Sequence, residues 1–143
     1  MRTLLDLQLA RDMARDSSLS EADYDILSTL TEGSGPPWRA SELAARLLWS
    51  SSRLALQVGR MVRRGLVSRE SCVDDKRGAL IGLTDLGLAT LKAAAAPHVA
   101  SVRRNFIDLL SPAEIDALAQ ISQKVIDLLS DNLQGANPER ASA

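Results

Sequence analysis

The sequence predicts a mainly α-helical fold that carries one two-stranded hairpin. Three observations lead there. Aromatic residues make up only 3% of the 143 residues against 45% hydrophobic, so Leu, Ala, Val and Ile fill the core, and without long β-branched runs that composition favours helices. Most apolar positions recur at helical spacing. One turn-forming cluster, Asp74-Asp-Lys-Arg-Gly78, separates two short alternating stretches, the pattern of a hairpin. The length fits one domain with a moderate core, a size that gains much from oligomerisation.

The elements follow in order. Residues 3–15 read as a helix with a broad apolar face, which a neighbour or partner buries. Ser17 and Ser18 break it. Ser20, followed by Glu21 and Asp23, reads as an N-cap with acids in the first turn, and the helix runs to about Glu32 with Tyr24, Ile26, Leu27 and Leu30 inward. Gly33-Ser-Gly-Pro-Pro37 is a loop. A short helix follows near Ala40–Leu47. The Trp49-Ser-Ser-Ser52 turn leads into a helix reaching Arg64, stopped by Gly65. Residues 66–72 and 79–83 read as the hairpin strands. Thr84 and Asp85 cap a long helix to about Leu110, with a kink expected at Pro97. Ser111-Pro-Ala-Glu114 is a capping box opening the last helix, to about Leu133. Residues 134–143 read as a flexible tail.

Charge is distributed unevenly. The chain carries a net −1, yet residues 39–77 hold nine basic against four acidic residues, a net +5, and the remainder eight against fourteen, a net −6. A basic middle between acidic flanks suggests one anion-binding face. Chance clustering of solvated charge is the plain alternative. The single cysteine, Cys72, excludes an internal disulfide, and one histidine with one cysteine excludes the usual structural zinc site. No metal or cofactor is expected. No stretch approaches the ~20 apolar residues of a membrane span, and Asp6, Gln8, Arg11 and Asp12 interrupt the N-terminal leucines, unlike a signal peptide. A cytoplasmic protein is expected. No nucleophile–base pair or phosphate loop points to an enzyme.

The helix from Ser52 to Arg64 is the most informative segment. At about 100° per residue, Leu54, Val58 and Met61 share one side, while Arg53, Gln57, Arg60 and Arg64 form a narrow stripe on the opposite side, with Ser52 and Leu56 beside it. Arg pairs with a guanine edge and Gln with an adenine edge through two hydrogen bonds each. Serines at the helix start can donate to phosphate, helped by open N–H groups and the helix dipole. An amphipathic surface helix with a solvated basic face explains the same stripe. The hairpin favours the first reading: Lys76 and Arg77 at its tip can reach a minor groove, where the potential attracts Arg. Asp75 can hold Arg77 in place by a charge-assisted hydrogen bond.

Five runs in this order carry a resemblance. Ser41-Glu-Leu-Ala-Ala45, Ser50-Ser-Ser-Arg-Leu54, Arg60-Met-Val-Arg-Arg-Gly-Leu-Val67, Asp75-Lys-Arg77 and Leu83-Thr-Asp-Leu-Gly87 resemble the MarR family of transcriptional regulators over residues 3–133. The resemblance implies a winged helix-turn-helix over 20–84 with a two-stranded wing. It also implies a helical dimerisation region built from the N- and C-terminal helices, 1–19 and 85–133. It implies a homodimer on pseudo-palindromic double-stranded DNA, a repressor released by a small lipophilic or phenolic ligand. Carried over by position, Ser51, Ser52, Arg53, Leu56, Gln57 and Arg60 face the major groove. Lys76 and Arg77 serve the wing with Asp75 orienting, and Arg39 and Ser41 contact phosphate. Leu56 departs from the polar residue usual there and fits a thymine methyl. The family's first helix is usually longer than the one here.

The last helix supports a dimer. Ile115, Leu118, Ser122, Val125 and Leu129 make one stripe and Ile121 and Leu128 another, more than one intramolecular contact needs. Val99, Val102, Phe106 and Leu109 repeat the pattern. A twofold dimer sets two reading helices about 34 Å apart, one DNA turn, so the site is an inverted repeat. Tyr24, Trp38, Trp49 and His98 are the candidates for lining an effector pocket between the DNA-binding and dimer parts, although each also reads as a core, loop or surface residue. Redox-sensing members place their cysteine in the first helix, where this chain has none, so Cys72 is not expected to sense oxidants. The second functional reading is a winged-helix dimer that binds another protein and no DNA, motivated by Leu56 and the short first helix.

Overall fold

The computed structural model describes residues 1–32, 37–71 and 78–135. Cys72, Asp75, Lys76, Arg77 and most of the expected tail lie outside the described residues. The elements are α1 (Arg2–Asp16), α2 (Glu21–Thr31), β1 (Trp38–Arg39), α3 (Ala40–Leu47), α4 (Ser51–Arg63), β2 (Val67–Ser71), β3 (Ala79–Leu83), α5 (Asp85–Asn105), a 3₁₀ turn (Ile107–Leu109) and α6 (Pro112–Gly135). They fall into two compact units, Met1–Val102 and the segment from Arg103 onward.

In the first unit, local chemistry sets where helices begin. Ser20 accepts from the Asp23 N–H while Asp23 accepts from the Ser20 N–H, a reciprocal cap that closes two orphan donors of α2. Ser50 accepts from the Arg53 N–H and caps α4, which begins at Ser51, one residue before the Ser52 expected. Gly65 ends that helix at φ 72, a conformation open to glycine. Leu48 adopts φ 56 between α3 and α4, the non-glycine exception, and stands 83% exposed.

The core draws on every helix of this unit and on its sheet: Met13 from α1, Ile26, Leu27 and Leu30 from α2, Leu43 from α3, Leu54, Val58 and Met61 from α4, Val67 from β2, Ile81 from β3 and Leu91 from α5, with Trp38 of β1 packed against it. A second tie is polar. Asp12, buried on α1, accepts from the Ser101 hydroxyl of α5 at 2.5 Å and from Gln8 at 3.1 Å, with the Arg15 guanidinium 3.0 Å away. Buried carboxylates are stable only when so paired.

The sheet has three antiparallel strands in the order β1–β3–β2. The wing hairpin is present, with Ser71 opposite Ala79 and Val67 opposite Leu83. The third strand has no counterpart in the sequence reading, which leaves Trp38 and Arg39 unassigned: they pair with Ile81 and Leu80. Two residues carry no periodicity, so only the distant β3 edge makes them a strand.

The Leu83-Thr-Asp-Leu-Gly87 run is a latch. The Thr84 hydroxyl lies 2.7 Å from the Gly65 carbonyl and 2.9 Å from the Leu66 carbonyl, and it accepts from the Gly87 N–H at 2.9 Å. A Cβ on Gly87 would stand 2.0 Å from the Leu66 carbonyl oxygen. The start of α5 therefore sits directly on the strand that leaves α4.

In α5, Pro97 does not end the helix, which continues to Asn105 rather than to Leu110. A 3₁₀ turn takes up the difference, as commonly happens at helix C-termini. In the second unit Arg103 pairs with Asp108 at 2.8 Å. The expected Ser111–Glu114 box is formed, Glu114 accepting from the Ser111 N–H and hydroxyl at 2.8 Å each. Ile115, Leu118, Ile121, Val125, Leu128 and Leu129 of α6 are all exposed in the single chain. Among the described residues no helix is long and apolar enough to cross a membrane.

Gly87→Ala is expected to destabilise the protein by about 1–3 kcal/mol through overpacking against the backbone. Urea unfolding checks it, and an unchanged midpoint would show that the latch yields without cost.

Candidate nucleic-acid interface

The candidate surface is built on α4, whose orientation follows from its apolar side. Leu54, Val58 and Met61 are buried, so the side opposite them points away from the core. At about 100° per residue, that opposite arc holds Ser52, Leu56, Gly59 and Arg63. The stripe Arg53, Gln57, Arg60 and Arg64 lies about a quarter turn from the core face, on the flank toward α2.

That flank is tied down by one carboxylate. Asp23, on the first turn of α2, is 2% exposed. Its Oδ1 accepts from Gln57 Nε2 at 2.7 Å, and its Oδ2 accepts from an Arg64 guanidinium nitrogen at 2.7 Å. Arg64 also donates to the Ser18 carbonyl at 2.5 Å. Burial pushes the Asp23 carboxyl up, but hydrogen bonds from Arg64, Ser20 and Gln57 together outweigh it and hold the group below its ordinary value. Gln57 was expected to read a base edge. In this structure its amide faces inward, because a buried carboxylate left without donors costs more than an amide facing water.

The remaining candidates are placed as follows. Arg53 lies over the Trp49 ring at 4.0 Å, a cation–π contact with the residue just before the cap of α4. Ser51 and Ser52 are exposed on the first turn of α4, where N–H groups without helical partners favour anions. Arg60 and Arg63 are exposed, with no carboxylate partner among the described residues. Arg39 and Ser41 stand at the start of α3, where Glu42 accepts from the Arg39 N–H. With Ser51, Leu54, Arg69 and Ile81 they line a cleft of about 290 Å³ between α3, α4 and the sheet.

The four aromatic candidates for an effector pocket separate into different settings. Tyr24 and His98 stack at 4.5 Å between ring centroids, joining α2 to α5. Trp49 serves Arg53, and Trp38 belongs to β1 and packs on the core. The cavity beside His98 measures about 10 Å³, scarcely room for one water. Elsewhere on α2, burial, then repulsion from Asp25 and Asp6, pushes the Glu21 carboxyl up.

Sequence reasoning missed two residues. Asp23 was read only as a first-turn acid, and Arg63 only as part of the charge balance. Rotating the helical wheel onto Leu54, Val58 and Met61 places Arg63 at the centre of the outward arc. Nothing local announces the Asp23–Arg64 pair.

A helix held by its apolar side and presenting serines at its capped start and arginines along its length, beside an antiparallel wing, defines a winged helix-turn-helix regulator. Residues 19–78 match the profile of the MarR family. The chain is 31% identical over 127 residues to the transcriptional regulator HosA of Escherichia coli, spanning 89% of this chain and 92% of HosA. AbsC, a MarR family transcriptional regulator from Streptomyces coelicolor, is 41% identical with a TM-score of 0.79, over 94% of this chain and 87% of AbsC. Sco3205, a MarR family transcriptional regulator of the same organism with a structure in complex with DNA, is 36% identical with a TM-score of 0.81, over 90% of this chain and 83% of its own. The chain belongs to the MarR family and is a transcriptional regulator, not an enzyme.

The lowered value of Asp23 has a defined sign. Its ionised form stabilises the fold above the usual carboxylate value near ~4, and that contribution is lost as pH falls through the lower folded value. Asp23→Asn is expected to cost about 1–3 kcal/mol at neutral pH, and the difference from the parent shrinks in acid. Urea midpoints across the acidic range measure this; a constant difference would assign the loss to packing instead.

Proposed function

We propose that the protein is a repressor that binds a pseudo-palindromic duplex as a homodimer. The observation that carries the reading is the set of exposed polar groups on α4: Ser51 and Ser52 at its capped start, then Arg60 and Arg63 without carboxylate partners among the described residues. These groups suit phosphates and base edges of a major groove. The complex of Sco3205 with DNA supports it. Lys76 and Arg77, oriented by Asp75, serve the minor groove in this reading, and Arg39 with Ser41 a flanking phosphate.

The dimer reading rests on α6. Seven large apolar side chains of one helix stand at least one-third exposed in the single chain, from Ile115 to Leu129. A patch of that kind marks an association surface. Dimerisation through α1, α5 and α6 sets the two α4 helices for an inverted repeat about one turn apart. An effector that releases the duplex finds more room in the cleft of Arg39, Arg69, Leu54 and Ile81 than beside Tyr24 and His98. Two guanidinium groups over an apolar floor suit a small acidic aromatic.

Exposed Leu48 and Leu56 favour the second reading, a winged-helix dimer docked on another protein. Fluorescence anisotropy against the DNA upstream of its own gene, with a scrambled duplex as control, separates the two. Binding well above the scramble with a steep salt slope is expected, and Arg60→Ala and Arg63→Ala each lower the slope by about 2, one phosphate contact from each subunit of the dimer. Absence of binding to either duplex at low salt rejects the repressor and leaves the protein-docking reading. In sedimentation, the parent is expected as a dimer and the doubly substituted Ile121→Asp, Val125→Asp chain as a monomer; a monomeric parent rejects the dimer.

A further inference from the structure

The flank of α4 toward α2 and its outward arc differ in what they leave free. On the flank, Gln57 and Arg64 are both committed to Asp23 and Arg53 lies over Trp49, so Arg60 is the exposed group left there. Withdrawing Gln57 to an adenine edge would strip a donor from a buried carboxylate. The bonds gained at the base would replace bonds already made, an exchange with little net gain. On the outward arc, Leu56 is 67% exposed. Beside it, a Cβ built on Gly59 meets nothing within 4 Å. The centre of the helix thus presents an apolar side chain next to open space. Of the groups that base pairs display in a major groove, the C5-methyl of thymine is the apolar one.

We propose that Asp23 is a positioning residue that keeps Gln57 out of base reading, and that Leu56 is the specificity residue of each half-site, taking a thymine methyl. The inference rests on the DNA-binding reading and deepens it. Arg60 and Arg63 flank Leu56 and hold phosphates or guanine edges. The preferred half-site therefore carries a thymine where a helix reading with Gln57 would prefer an adenine contact.

The test starts from the tightest duplex that the full-length chain selects from a randomised pool. Each thymine is replaced in turn by uracil, which removes the methyl and nothing else. One symmetric pair of positions is expected to lose about fourfold in affinity per methyl, the worth of one buried carbon. Leu56→Ala is expected to erase the difference between thymine and uracil at those positions. Gln57→Ala is expected to leave the base preferences unchanged. Asp23→Ala frees Gln57 and adds an adenine preference that the doubly substituted Asp23→Ala, Gln57→Ala chain lacks, a readout that loss of stability alone does not produce. Should Asp23→Ala not fold, Leu56→Ala and Gln57→Ala decide. A flat uracil scan on a tightly bound duplex overturns the inference and leaves DNA binding standing, as does a base preference altered by Gln57→Ala. Failure to select any duplex overturns both.

Discussion

The arrangement of the candidate surface depends on one buried carboxylate. Asp23 closes the cap of α2, accepts the Gln57 amide and pairs with Arg64, so a single side chain joins the start of α2 to the middle and end of α4. Apolar packing of Leu54, Val58 and Met61 fixes which side of α4 is buried. Directed bonds to two carboxylate oxygens add a constraint that acts on the polar flank itself. The same bonds decide which polar groups of α4 remain available to a ligand and which are structural.

Much of the fold is legible because its signals are local. Ser20, Ser111 with Glu114, and Gly65 mark helix ends through bonds or dihedrals that involve neighbours along the chain, and those ends fall within a residue or two of expectation. The strands of the hairpin follow from alternation. What escapes is non-local or silent. Trp38 and Arg39 become a strand only by meeting Ile81 and Leu80. Leu48 takes a left-handed conformation that a leucine does not advertise. The end of α5 at Asn105 depends on a tighter turn that amphipathic spacing does not distinguish from continued α-helix.

The candidate surface divides along the same line. Ser51, Ser52 and Arg60 stand exposed where periodicity puts them. Gln57 has the right type and spacing for base reading, yet its partner is 34 residues away, and Arg64 meets the same carboxylate across 41. A helical wheel gives angles but not the neighbour on each flank, so it cannot separate a polar group offered outward from one spent inward. The exposed apolar side of α6 belongs to the legible part, because two stripes on one helix exceed what a single contact covers.

The Thr84 latch has a mechanical consequence. One hydroxyl lies within hydrogen-bond reach of the carbonyls of Gly65 and Leu66, the residues that end α4 and lead into β2, while Gly87 lets α5 start against that same backbone. The end of α4, the root of the wing and the start of α5 thus share one pivot. With so short a lever between them, a shift at the first turn of α5 displaces the helix end and the wing root together.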